Sequence, residues 1–144
     1  GDPEESLEGE TENPHPGLSD LLTGAAPFEK VIVRDRLSRV HTITAGEASD
    51  DPLALLASER MATVLEALRL TYDVVFVLTP SVAGHEEANL LAFRADQTLL
   101  LSVSETGEAA VGRACRGLEE AGAAMVDAIK VAEIDDELRT SSAA

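Results

Sequence analysis

Apolar residues along this chain fall either into runs without polar alternation or into stripes repeating every three to four positions. The run Val74-Val75-Phe76-Val77-Leu78 follows Tyr72-Asp73 and stops at Thr79-Pro80. Lacking alternation, it predicts a central strand covered on both faces, as in parallel sheets between helices. Thr98 to Val103 predicts a second apolar strand and Met125 to Val131 a last one. Lys30 to Arg34 and Val40 to Thr44 are β-like segments that precede them.

The helical stripes are equally legible. Leu18 to Leu22 predicts a short helical turn closed by Gly24. At Asp51-Pro52 a capping acid is followed by a proline that forfeits no hydrogen bond at the first helical position. From there Leu53, Leu56, Met61, Val64, Leu65 and Leu68 share one face of a single predicted helix. Glu86 to Phe93 predicts another. Ser104 is the expected cap of a further helix in which Val111, Ala114, Cys115 and Leu118 share a face and Gly122 is the stop. Helices between apolar strands predict βαβ crossovers, so the expected fold is α/β, a three-layer sandwich with a mostly parallel sheet flanked by helices.

Residues 1–16 carry six acids, no bases and three prolines, and read as a flexible acidic lead-in. The globular pattern covers residues 17–132. Residues 133–144 read as a polar tail with a fraying helix. Gly1 rather than Met opens the chain, so a processed or excised product is expected.

With 144 residues, one domain is expected, able to bury roughly 70% of its unfolded surface. Aromatics are 3% against 44% apolar, so the core is to be built of Leu, Val, Ile and Ala. A net charge of −16 repels phosphate backbones and anionic lipids, which argues against nucleic acid and membrane surfaces as partners. No run reaches the ~20 apolar residues of a membrane span. The single cysteine, Cys115, allows no internal disulfide and suits a reducing compartment.

Candidate chemistry is sparse. His15, His41 and His85 have no partners at helical spacing, and no metal site is expected from them. No nucleophile elbow and no Gly-x-x-x-x-Gly-Lys-Ser/Thr loop occurs, and Lys30 and Lys130 are the only lysines. Arg34, Arg36 and Arg39 form the local basic cluster, either an anion or subunit contact or a solvated turn neutralising acids such as Glu29 and Asp35. Glu86 and Glu87 open a helix, where its dipole favours carboxylates whatever their function.

Four blocks in order carry a resemblance: Pro16-Gly17-Leu18-Ser19-Asp20-Leu21-Leu22, Thr44-Ala45-Gly46, Leu55-Leu56-Ala57-Ser58-Glu59-Arg60-Met61, and Tyr72 to Pro80. Together they resemble the cytoplasmic domain of bacterial tyrosine kinases and polysaccharide co-polymerases, the capsule and exopolysaccharide chain-length regulators. That group belongs with the deviant P-loop ATPases, and the resemblance implies an incomplete P-loop NTPase-like sheet over residues 17 to 131. It implies an upstream phosphate loop and an Asp-x-Asp segment of which Asp2 is a remnant. It also aligns Leu78-Thr79-Pro80-Ser81 with an Asp-Thr-Pro-Pro motif, so that Leu78 stands where a metal-associated acid is expected, and it places Glu87 where an Asp is common.

Ile129-Lys130-Val131 replaces a strand end that carries an Asn in relatives, and the tyrosine-rich tail has no counterpart, since Tyr72 is the only tyrosine. The expectation is therefore a degenerate, non-catalytic kinase-like domain with no catalytic residues, no metal and no cofactor. It would act as an interaction or oligomerisation module with other subunits of a polysaccharide export or polymerisation complex, at the inner face of the bacterial inner membrane. A first alternative is a fragment of an active kinase using ATP and magnesium, its phosphate loop lying upstream. A second is a partitioning or septum-positioning ATPase, against which the charge argues.

Overall fold

The computed structural model describes residues 15–84 and 86–132. The acidic lead-in up to residue 14, Asp2 within it, His85 and the tail from residue 133 lie outside the described residues. The chain divides after Val75 into two compact units.

The first unit opens with α1 (Leu18–Thr23), whose entry is fixed by the Gly17 N–H donating to the Asp20 carboxylate at 2.8 Å. Gly24 ends it at φ 81°, a left-handed conformation that glycine adopts without penalty. Leu21 and Leu22 are buried on its inner side. The four-residue α2 (Phe28–Val31) buries Val31 completely and runs straight into β1 (Ile32–Arg34). That strand pairs antiparallel with β2 (His41–Ile43), in the register Ile32 with Ile43 and Arg34 with His41. Both β-like segments are thus present but shorter than expected. Lys30 and Val31 close a helical turn first, with the Ile32 N–H donating to the Phe28 carbonyl.

The helix expected to run unbroken from Asp51 is two helices, α3 (Pro52–Leu56) and α4 (Glu59–Thr71). Asp51 caps the first through the Ala54 N–H at 3.0 Å. The break falls at Ala57-Ser58, where the Ser58 hydroxyl accepts from the Met61 N–H at 3.2 Å and starts a second helix. Ser is a preferred residue at such a start, and its competing local hydrogen bond overrides the apolar period. The predicted stripe is still the covered side, with Met61 buried and Leu53, Leu56, Val64, Leu65 and Leu68 half-buried.

The second unit contains α5 (Glu86–Arg94), β3 (Thr98–Val103), α6 (Glu108–Glu120) and β4 (Val126–Val131). β3 and β4 pair in parallel, Thr98 with Val126 through Val103 with Val131, and α6 makes the crossover between them. This is the expected βαβ arrangement and fixes the α/β class. Val111, Ala114, Cys115 and Leu118 form the covered face of α6, as their spacing predicts.

Ser104 does not cap that helix. Residues 103–106 form a turn closed by the Thr106 N–H on the Val103 carbonyl, and Gly107 takes the cap position. Gly122 ends the helix region at φ 95°, and a Cβ there would lie 2.7 Å from the Phe93 ring. This glycine provides the close approach of the α5 end.

The central strand expected over Tyr72 to Pro80 is the main correction. Among the described residues the sheets are two separate pairs, β1 with β2 and β3 with β4, and residues 72–80 join neither. Phe76 and Leu78 are 80% and 92% exposed. Composition shows that a segment favours cover; a strand also needs a ladder partner, and none of the described strands pairs with this run. In the β3–β4 pair β3 alternates over its first four residues between half-buried and exposed positions while β4 is exposed from Asp127 to Val131, so that Leu99, Leu101, Ile129 and Val131 face solvent.

Candidate functional site

Residues expected around a nucleotide sit on the segment entering α5. Leu78 projects an alkyl chain into solvent. The Thr79 hydroxyl donates to the Pro80 carbonyl at 3.1 Å, and the Ser81 hydroxyl accepts from the Ala83 N–H at 3.3 Å, so both serve the local turn. Glu87 lies half-buried in the first turn of α5, beside exposed Glu86. Among the described residues no group of three or more His, Cys, Asp or Glu side chains is placed to hold a metal ion.

A magnesium–nucleotide site needs hard oxygen ligands. The Leu78 side chain offers none at the position where the resemblance expects an acid. Ile129, Lys130 and Val131 end β4, exposed.

Two blocks far apart in sequence prove to be one structural feature. The Leu18 N–H donates to the Thr44 carbonyl at 2.8 Å and the Ser19 N–H to the Ala45 carbonyl at 3.0 Å. Gly17 faces Gly46, itself at φ 81°, so closely that a Cβ on Gly17 would lie 2.5 Å from both Gly46 Cα and Thr44 O. The Gly-Leu-Ser and Thr-Ala-Gly blocks thus form a backbone clasp. Sequence reading grouped them by resemblance; their shared glycine requirement was the physical signal.

Arg34, Arg36 and Arg39 are brought together on the exposed tip of the β1–β2 hairpin. The Asp35 N–H donates to the Val40 carbonyl at 3.0 Å and closes the loop. The Ser38 hydroxyl donates to the Asp35 carboxylate at 2.5 Å and accepts from the Val40 N–H at 3.1 Å. The Ser38 hydrogen bond holds the Asp35 carboxyl below the usual carboxylate range. Asp35 therefore serves the loop, and the three arginines make no ion pair among the described residues. The three arginines stand on a solvated turn in which the Asp35 carboxylate bonds to Ser38.

His41 stands exposed in β2, its Nδ1 2.6 Å from the Tyr72 hydroxyl with the two rings edge to face. Tyr72 is half-buried. A separation of 31 positions hid this pair from sequence patterning. Among the described residues no helix is long and apolar enough to cross a membrane.

The parallel β3–α6–β4 unit is of the kind found in kinase domains of the P-loop type. The kinase domain of the Escherichia coli tyrosine kinase ETK superposes with a TM-score of 0.79 at 28% identity, covering 90% of this chain and 51% of that one. The BceF tyrosine kinase domain gives 0.73 at 29%, covering 84% and 50%.

In sequence the chain is similar to proteins that carry the name of bacterial tyrosine kinases. The putative tyrosine-protein kinase EpsB of Ralstonia solanacearum is 36% identical over 87 residues, 60% of this chain but 12% of that protein. The tyrosine-protein kinase CpsD of Streptococcus pneumoniae is 28% identical over 93 residues, 65% of this chain and 40% of that protein. The chain thus spans less than half the length of these two relatives. No protein-family model matches it.

Proposed function

We propose that this domain works as a non-catalytic, kinase-like interaction and oligomerisation module in capsule or exopolysaccharide biosynthesis. Its partners would be subunits of the export or polymerisation machinery at the inner face of the bacterial inner membrane. The observation that carries the reading is Leu78. At the position the kinase resemblance reserves for a metal-associated acid, the chain presents an exposed alkyl group, while Thr79 and Ser81 spend their hydroxyls on backbone. A domain kept for its contacts needs the fold and not the acid.

Calorimetric titration of the protein with ATP and magnesium, alongside a phosphotransfer assay, tests this. No saturable heat and no transfer are expected; micromolar binding or phosphotransfer overturns it. One observation favours a second reading, a segment of an active tyrosine kinase. The relatives carry that name, and the chain spans 12% of one and 40% of the other. A phosphate loop encoded upstream of Gly1, with ATP turnover by the longer product, would establish that reading instead.

A further inference from the structure

The hairpin tip is the place where the charge of this protein reverses locally. In a chain of net charge −16, Arg34, Arg36 and Arg39 stand together in solvent without an ion pair among the described residues. Leu37 is 97% exposed between them, with Val40 at 59% and Val33 at 40%. An open groove of about 790 Å³ runs between Arg34, Arg36, Leu37 and Val40; Asp35 also lines it, its carboxylate held by the Ser38 hydroxyl. Unpaired arginines around exposed aliphatic side chains are the composition of an interface centre.

The sequence contains a matching counterpart. Asp2, Glu4, Glu5, Glu8, Glu10 and Glu12 flank Leu7, the one large apolar residue among the first fourteen, and no base interrupts them. We propose that residues 2–12 of this chain dock on the hairpin tip, their carboxylates on the three guanidiniums and Leu7 against Leu37, Val33 and Val40.

Geometry permits this within one molecule. The clasp fixes Gly17 and Leu18 against Thr44 to Gly46, at the far end of β2 from the tip. From Thr44 back to Arg39 is about 17 Å of extended strand at ~3.3 Å per residue. The thirteen steps from His15 to Asp2 reach at most ~45 Å, enough to cover the tip. Exposed single ion pairs contribute little, but tethering makes the encounter intramolecular and several pairs act together. The inference stands apart from the catalytic question and holds whether or not nucleotide binds.

The experiment places a nitroxide label on Gly9→Cys in a Cys115→Ala background of the full chain and reads paramagnetic broadening of backbone amides. At low salt the amides of Arg36 to Val40 should lose more than half their intensity and broaden more than those of residues 47–50, which lie beside the anchor of the segment at Gly17 and report the tether alone. Near 0.5 M salt, where the Debye length falls below ~5 Å, the broadening should vanish. Arg34→Gln, Arg36→Gln and Arg39→Gln together should abolish it, with the remaining amide positions showing the fold intact. Uniform broadening, or broadening indifferent to the arginine changes, overturns the proposal. So does broadening that arises only when label and isotope sit on different chains, which would make a second copy the occupant.

Discussion

Gly17→Ala is the sharpest test of the backbone clasp. A methyl group at this position would lie 2.5 Å from Gly46 Cα and Thr44 O, which are main-chain atoms that cannot swing aside. Relief requires the Gly17–Leu18 segment to withdraw from Thr44–Gly46, weakening the two hydrogen bonds at 2.8 and 3.0 Å. Overpacking costs about 1–3 kcal/mol and each lost backbone hydrogen bond about 1 kcal/mol, so a loss near 3 kcal/mol is expected. That is a large share of the ~5–15 kcal/mol that holds an ordinary domain. It corresponds to a fall of roughly 10 °C in Tm.

The measurement is urea unfolding followed by the fluorescence of Tyr72, the sole tyrosine, which sits in the same unit as the clasp. Gly117→Ala is the control. It lies within α6 with nothing within 4 Å of the added methyl, so a gain of about 0.5–1 kcal/mol is expected, read by circular dichroism. A Gly17→Ala protein within 0.5 kcal/mol of the parent would refute the close approach of the two blocks.

Met125 is the one non-glycine residue at positive φ among the described residues, at 46°, and is 70% exposed. Met125→Gly should therefore stabilise the chain by about 1 kcal/mol in chemical unfolding, since strain is relieved and little packing is lost. Gly122→Ala should do the opposite, by about 2 kcal/mol or more, because both its φ of 95° and the Phe93 ring oppose a Cβ. Asp35 has its folded pKa lowered chiefly by the Ser38 hydroxyl. Its contribution to stability is present above its unfolded pKa and is lost as pH falls through the folded value. Ser38→Ala should move the Asp35 carboxyl titration upward when followed by carbon-detected NMR; an unchanged midpoint would count against the hydrogen bond.

Elements whose signals are local could be read from sequence. Glycine after Leu18–Thr23 and the Asp51-Pro52 start each encode a boundary, and the four-residue stripe of α6 encodes its covered face. Ser58 and Gly107 were missed because two local signals competed and an apolar period or a nearby serine was given the greater weight. The Tyr72 to Pro80 run failed for a different reason: a strand is a pairing, and the residues that would complete it are not encoded in the run itself. The site followed the same division. Leu78 in place of an acid and the arginine cluster were visible as residue types. The engagement of Asp35 by Ser38, the His41–Tyr72 contact and the meeting of Gly17 with Gly46 depend on tertiary proximity, to which composition gives no access.

The unpaired run has a consequence for the behaviour of the protein at high concentration. Val74 to Thr79 is six residues of β-branched, aromatic and aliphatic side chains, without charge or proline, and Val74, Phe76 and Leu78 are at least 67% exposed. Such a segment can recruit its own copies into stacked, intermolecular strands with a dry side-chain seam. Asp73 on one side and Pro80 on the other are the gatekeepers that oppose this, by charge repulsion and by denying a backbone donor. Asp73 and Pro80 are thus the local guards of this run, beside the repulsion that a net charge of −16 gives the whole chain.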